Sequence, residues 1–140
     1  MASASANNNG DTIIYVGDPM CSWCYGFAPE LQKIKDSFPT VHFEMIMGGL
    51  RIHGEESLQE LSTFLNEHWK EGQNASGQKF NFAILKNSNF YYDTEPACRA
   101  VTLVRAIYPN KAYEFFIELQ KAFYFYNHNT TEIEVFIALL

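Results

Sequence analysis

An α/β fold is predicted for this 140-residue chain, on three features. Thr12 to Val16 and Val41 to Met47 read as strands on either side of one amphipathic helix, and that helix opens on a Cys-x-x-Cys motif, Cys21-Ser22-Trp23-Cys24. From Glu55 onward the apolar residues fall at helical intervals. The expected organisation is a βαβ portion over residues 12–50, a helical region over 51–140, and a disordered tail over 1–11.

Composition bounds the function. With 47% hydrophobic and 16% aromatic residues the chain has ample material for one core. Ten basic against sixteen acidic residues give a net charge of −6, which argues against nucleic acid or an anionic membrane as partner. No uninterrupted apolar run approaches the length that crosses a bilayer. The first eleven residues carry neither a cationic start nor an apolar stretch, so no secretory signal is read there and a cytoplasmic location is expected.

The first strand, Thr12 to Val16, is β-branched and aromatic. Pro19 follows it, disfavours helix at Asp18 and delays the helix start until after itself. Cys21 is then expected in the first helical turn, where unsatisfied N–H groups and the positive end of the helix dipole favour thiolate, lowering its pKa below the roughly 8.5 of a free thiol. Cys24, one turn deeper, lies within disulfide reach. This spacing suits a division of labour in which Cys21 forms a mixed disulfide and Cys24 resolves it. Half of a zinc site has the same spacing. The remaining candidates are Cys98 and the scattered His42, His53, His68 and His128, so a closed four-ligand site lacks its second half and no metal is expected.

Cys24, Phe27, Ala28, Leu31, Ile34 and Phe38 define the expected buried face of the first helix, and Pro29 is expected to kink it. Val41, Phe43, Met45 and Met47 alternate as a second strand, completing a right-handed parallel crossover that puts the thiols at the carboxyl end of the first strand. Gly48-Gly49 ends that strand or lines the site. A helix is expected from Glu55, with Leu58, Leu61, Leu65 and Trp69 on one stripe, closed by Gly72 and the Asn74 to Gly77 run. Phe80 to Leu85 packs as a short irregular or helical piece. Asp93 or Thr94 caps the next helix, with Glu95 and Pro96 in its first turn. Further helices follow Pro109-Asn110 and Thr130-Thr131, the last carrying Phe136, Ile137 and Leu140.

Asp18-Pro19-Met20-Cys21-Ser22-Trp23-Cys24 followed by Gly26-Phe27-Ala28-Pro29 resembles the DsbA-like oxidoreductases related to the FrnE group, within the thioredoxin superfamily. Gly48-Gly49-Leu50, Thr94 to Ala100 and Leu119 to Tyr124 resemble the same group, so the likeness spans about Ile13 to Leu140. It implies a thioredoxin-like βαβ core with an α-helical insertion, and dithiol-disulfide exchange at Cys21 and Cys24 with protein or peptide thiols. No cofactor is implied beyond the redox-active disulfide, with glutathione left open as a co-substrate. Pro19, Ser22 and Trp23 are expected to tune access to the thiols. The resemblance also sets the helix start of Thr94 and Glu95 near them as substrate contacts, while Cys98 either packs or acts as a third thiol. Proteins of this fold finish the sheet with a β-hairpin and a final helix, for which no counterpart follows here. The expectation is therefore the amino-terminal portion of a longer protein, with a dimer or a complementing C-terminal segment supplying the strands. Two other readings stay open: a client-binding module with incidental thiols, and a glutathione-dependent isomerase of the related kappa-class fold, against which the second cysteine argues.

Overall fold

The computed structural model describes residues 10–140, so the expected tail lies mostly outside the described residues. β1 (Thr12–Gly17) and β2 (His42–Met47) pair in parallel, with Tyr15 opposite Met45 and Gly17 opposite Met47. Parallel neighbours require a crossover, and α1 (Ser22–Ser37) supplies it. α2 (Ser62–Ser76), a 3-10 turn at Phe82–Lys86, α3 (Glu95–Ile107), α4 (Ala112–Tyr124) and α5 (Ile133–Leu139) follow. Among the described residues the sheet has two strands, and no β-hairpin follows the helices.

Strand alternation decides which face is covered. Met45 is buried against Val101, Val104, Phe115, Phe116 and Leu119 of α3 and α4. Ile14 and Val16 point the other way and are 58% and 60% exposed. A second, aromatic cluster joins Met20 and Tyr25 to Trp69, Phe80, Phe123 and Tyr124. Tyr25 stacks on Tyr124 with ring centroids 5.0 Å apart. Both clusters draw residues from either side of position 50, so the thiol-bearing portion and the helical region share their cores.

The buried face of α1 differs from the expected one. Tyr25, Gly26, Ala28 and Leu31 are buried, whereas Phe27 and Phe38 are exposed. Glycine is the reason. A Cβ on Gly26 would come within 3.2 Å of Ser76, and one on Gly72 within 3.3 Å of Phe80, so the two bare backbones let α1 and α2 approach and turn the Tyr25 side inward. Counting apolar side chains misses a contact made by their absence. Helix α1 runs through Pro29. The proline cannot donate to the Tyr25 carbonyl one turn back, and Gln78 Nε2 donates to it instead at 3.1 Å.

α2 starts at Ser62 and not near Glu55. The intervening residues are committed elsewhere: Ser57 bridges Tyr91 in antiparallel fashion, Leu58 N–H donates to the Phe90 carbonyl, and Tyr92 N–H to that of Glu56. Ser57 and Glu60 then cap one another, Ser57 N–H to Glu60 Oε2 at 2.8 Å and Glu60 N–H to Ser57 Oγ at 3.1 Å. Gly72 lies inside α2, which closes at Gly77, in the left-handed region at φ 78°.

Candidate active site

The thiol turn is built from Asp18-Pro19-Met20, all buried. The Asp18 carboxylate organises it. Oδ1 accepts the Met20 N–H at 2.7 Å, an Asx turn that the Asp-Pro pair favours. Oδ2 accepts the Leu50 N–H at 2.8 Å and the Cys98 thiol at 3.2 Å. Gly49, at φ 67°, adopts the left-handed conformation just before Leu50. Tyr92 closes the same turn by donating its hydroxyl to the Met20 carbonyl at 2.6 Å. Asp18 was legible as part of the motif but not as a clamp, because its partners lie far along the chain. Tyr92 carried no sequence signal beyond its aromatic character.

Cys21 is the N-cap residue of α1, at φ −99° and ψ 121°, one position before the first turn in which it was expected. Ser22, Trp23 and Cys24 form the opening turn. Both sulfurs are half-buried and free. The two titrations are linked. The Cys21 thiol, with the Asp18 backbone N–H and Tyr15, draws Cys24 down to about 6 against burial and the Asp18 charge. Cys24 and burial push Cys21 up, against the backbone N–H groups of Cys24 and Trp23 that lower it.

An open cleft of about 490 Å³ adjoins the pair, lined by Trp23, Cys24, Phe27, Pro29, Ala75 and Tyr15 among others. Trp23 and Phe27 are 47% and 42% exposed beside it. The structure thus gathers Pro19, Cys21, Ser22, Trp23 and Cys24 in one turn. Thr94 is fully buried; its Oγ1 accepts the Arg51 N–H at 3.0 Å and its own N–H donates to the Arg51 carbonyl at 2.9 Å, holding the loop after β2. Glu95 is engaged by Arg99, with Nε 2.9 Å from Oε2. Burial, with Asp18 alongside, pushes the Cys98 thiol up to about 12. Among the described residues no group of three or more His, Cys, Asp or Glu is placed to hold a metal ion, and no helix is long and apolar enough to cross a membrane.

No family model matches the chain, and no curated protein matches it significantly. Solved structures do. A candidate protein disulfide isomerase from Nitrosomonas europaea superposes with a TM-score of 0.83 at 34% identity, over 91% of this chain and 62% of that one. The cytosolic disulfide reductase DsbM from Pseudomonas aeruginosa superposes with a TM-score of 0.80 at 23% identity, and the same protein with GSH with 0.77 at 22%, each over 91% of this chain and 62% of the other. The chain thus spans 62% of the length of each of these proteins.

Proposed function

The chain has a DsbA-like thioredoxin fold, and on that basis we propose that it is a thiol-disulfide oxidoreductase working through Cys21 and Cys24. The observation that carries the reading is a pair of free, half-buried sulfurs one helical turn apart at a helix start, one of them bordering an open cleft. That spacing suits dithiol-disulfide exchange.

The reaction runs as follows. When a substrate disulfide reaches Cys21, the Cys21 proton passes to Cys24, and the Cys21 thiolate attacks one substrate sulfur while Trp23 and Cys24 N–H groups support the charge. The substrate S–S bond breaks, a Cys21–substrate bond forms, and the departing thiolate takes the proton from Cys24. Cys24 then attacks Cys21, closing the intramolecular disulfide and releasing the second substrate thiolate, which is protonated by solvent. Two electrons pass from the dithiol to the substrate, and the reverse sequence oxidises a substrate dithiol. Protein or peptide thiols are the substrates we favour, with Pro19, Ser22 and Trp23 setting access and Thr94 and Glu95 the next positions to test for contact. Glutathione as a co-substrate is supported by the neighbour solved with GSH, and a cytoplasmic setting by that neighbour's description as cytosolic. The open sheet face at Ile14 and Val16 supports a complementing segment or a second copy of the chain as partner.

Equilibration with glutathione buffers, followed by acid quench and mass analysis, tests the reading. A Cys21–Cys24 disulfide that forms and reopens reversibly is expected. A chain that stays a dithiol across the whole buffer series would refute exchange chemistry.

A further inference from the structure

We propose that the cavity between the end of α1, β2 and the loop joining α3 to α4 binds the phosphoryl group of a small phosphomonoester, held by Lys35 and Arg105. The cavity measures about 490 Å³, and its lining includes Lys35, His42, Phe43, Arg105, Asn110 and Tyr113. It lies at the far end of the sheet from the thiols. His42 opens β2 opposite Thr12, whereas the thiol turn follows Gly17, the residue paired with Met47. The exchange chemistry makes no use of it.

Both cations are held in place without a carboxylate. Lys35 Nζ stands 4.0 Å from the ring centroid of Tyr113 and 4.5 Å from that of Phe43, so packing fixes the ammonium and leaves its charge uncancelled. Arg105 donates Nη1 to the Met45 carbonyl, which orients the guanidinium and leaves its other donors unbonded among the described residues. Phe43 and Met45 are two residues apart on one strand, so the anchor points of the two cations are about 7 Å apart. One phosphoryl group can offer an oxygen to each. Sixteen acidic residues are present in the chain, yet among the described residues neither cation forms an ion pair. The nearby carboxylates are engaged elsewhere: Glu44 Oε2 faces His42 Nε2 at 3.8 Å, and Asp36 accepts from Gln32 Nε2 at 2.9 Å. Burial pushes Lys35 down, opposed by the Asp36 charge. An ammonium short of solvent and of a bonded counter-ion is stabilised by an incoming anion. A carboxylate has two oxygens, enough for the guanidinium alone, whereas a phosphoryl group has three and can also reach Lys35 and the Asn110 amide. The cavity exceeds the size of that group, which leaves room for an organic body against Pro109 and Ala112.

Backbone amide shifts of the whole chain, followed by NMR as phenyl phosphate is added at constant ionic strength, test the assignment. Saturable shifts around Phe43, Arg105 and Asn110 are expected. Lys35→Met and Arg105→Gln should each weaken binding roughly tenfold, the scale of a hydrogen bond to a charged group. Lys33→Met removes an α1 ammonium that pairs with Glu30 outside the cavity and should leave binding unchanged. Absence of saturable shifts in the parent chain would overturn the proposal, as would equal weakening by Lys33→Met or benzoate binding as tightly as phenyl phosphate. The parent titration needs no variant, so a variant that fails to fold cannot hide the result. Inorganic phosphate separates the two sources of the group: weaker binding than phenyl phosphate supports a phosphomonoester, and equal binding would overturn that identity in favour of the free ion.

Discussion

The Cys98 thiol donates to the Asp18 carboxylate across 3.2 Å, joining the start of α3 to the turn before the thiol pair. A sulfur buried beside a carboxylate is a poor nucleophile, and Cys98 is accordingly pushed up to about 12. Native labelling at neutral pH should modify Cys98 at least roughly a hundredfold more slowly than Cys24 and reach it only on denaturation. Comparable rates would restore Cys98 as a third functional thiol.

Asp18 ties the turn to the loop after β2 through two backbone N–H groups. Asp18→Ala strands both donors in a buried setting, at about 1–3 kcal/mol each. A loss of about 2–5 kcal/mol in chemical denaturation is expected, read from the midpoint at unchanged slope. A loss below about 1 kcal/mol would mean that water replaces the carboxylate.

The pH response of the dithiol has a definite sign. Cys24, held down to about 6, contributes stability that is fully present above the free-thiol value of roughly 8.5 and fades as pH falls through 6. Cys21, pushed up, contributes stability present below roughly 8.5 and lost as pH rises beyond it. The reduced chain should therefore gain most from this pair near pH 8 to 9, roughly the free-thiol value. Cys21→Ala, which removes the donor, should raise the labelling inflection of Cys24 from about 6. An inflection that stays put would show that Cys21 does not hold it.

Trapping separates the two sulfurs. Cys24→Ala should accumulate mixed disulfides through Cys21 on exposure to an oxidised peptide, while Cys21→Ala should accumulate few. Equal yields would mean that Cys24, which is held low and borders the cleft, attacks directly. Replacing both should leave the helical signal in circular dichroism intact, since neither sulfur closes a long loop.

The uncovered sheet face has its own test. Ile14 and Val16 stand 58% and 60% exposed, with Ile46 of β2 beside them at 37%. An apolar face of this kind draws other apolar surface. The chain as given should bind an environment-sensitive apolar dye and self-associate, and Ile14→Lys with Val16→Lys should reduce both while leaving the labelling profile of the thiols unchanged. No dye binding by the parent chain would show that the face is already covered.

The two strands, the crossover helix and the thiol turn were readable from sequence because each is signalled within about ten neighbouring residues. α3 was equally plain, with Pro96 and Glu95 in its first turn. The start of α2 was not, since Leu58 bonds to Phe90, Ser57 bridges Tyr91 and the Glu56 carbonyl accepts from Tyr92, partners that no local window contains. Thr94, proposed from resemblance as a substrate contact, is buried and bonded to Arg51. The pairing of Asp18 with Leu50 and Cys98 was hidden for the same reason.

The amide that takes over the Tyr25 carbonyl released by Pro29 comes from Gln78, and the neighbouring Lys79 carbonyl accepts the Tyr25 hydroxyl at 2.8 Å. One residue of the thiol helix is thus gripped at both its ends by two successive residues of the segment after α2. Parting the two regions at this point would release both grips and bare the ring stacked on Tyr124. The thiol helix is therefore held against the helical region at both ends of a single residue.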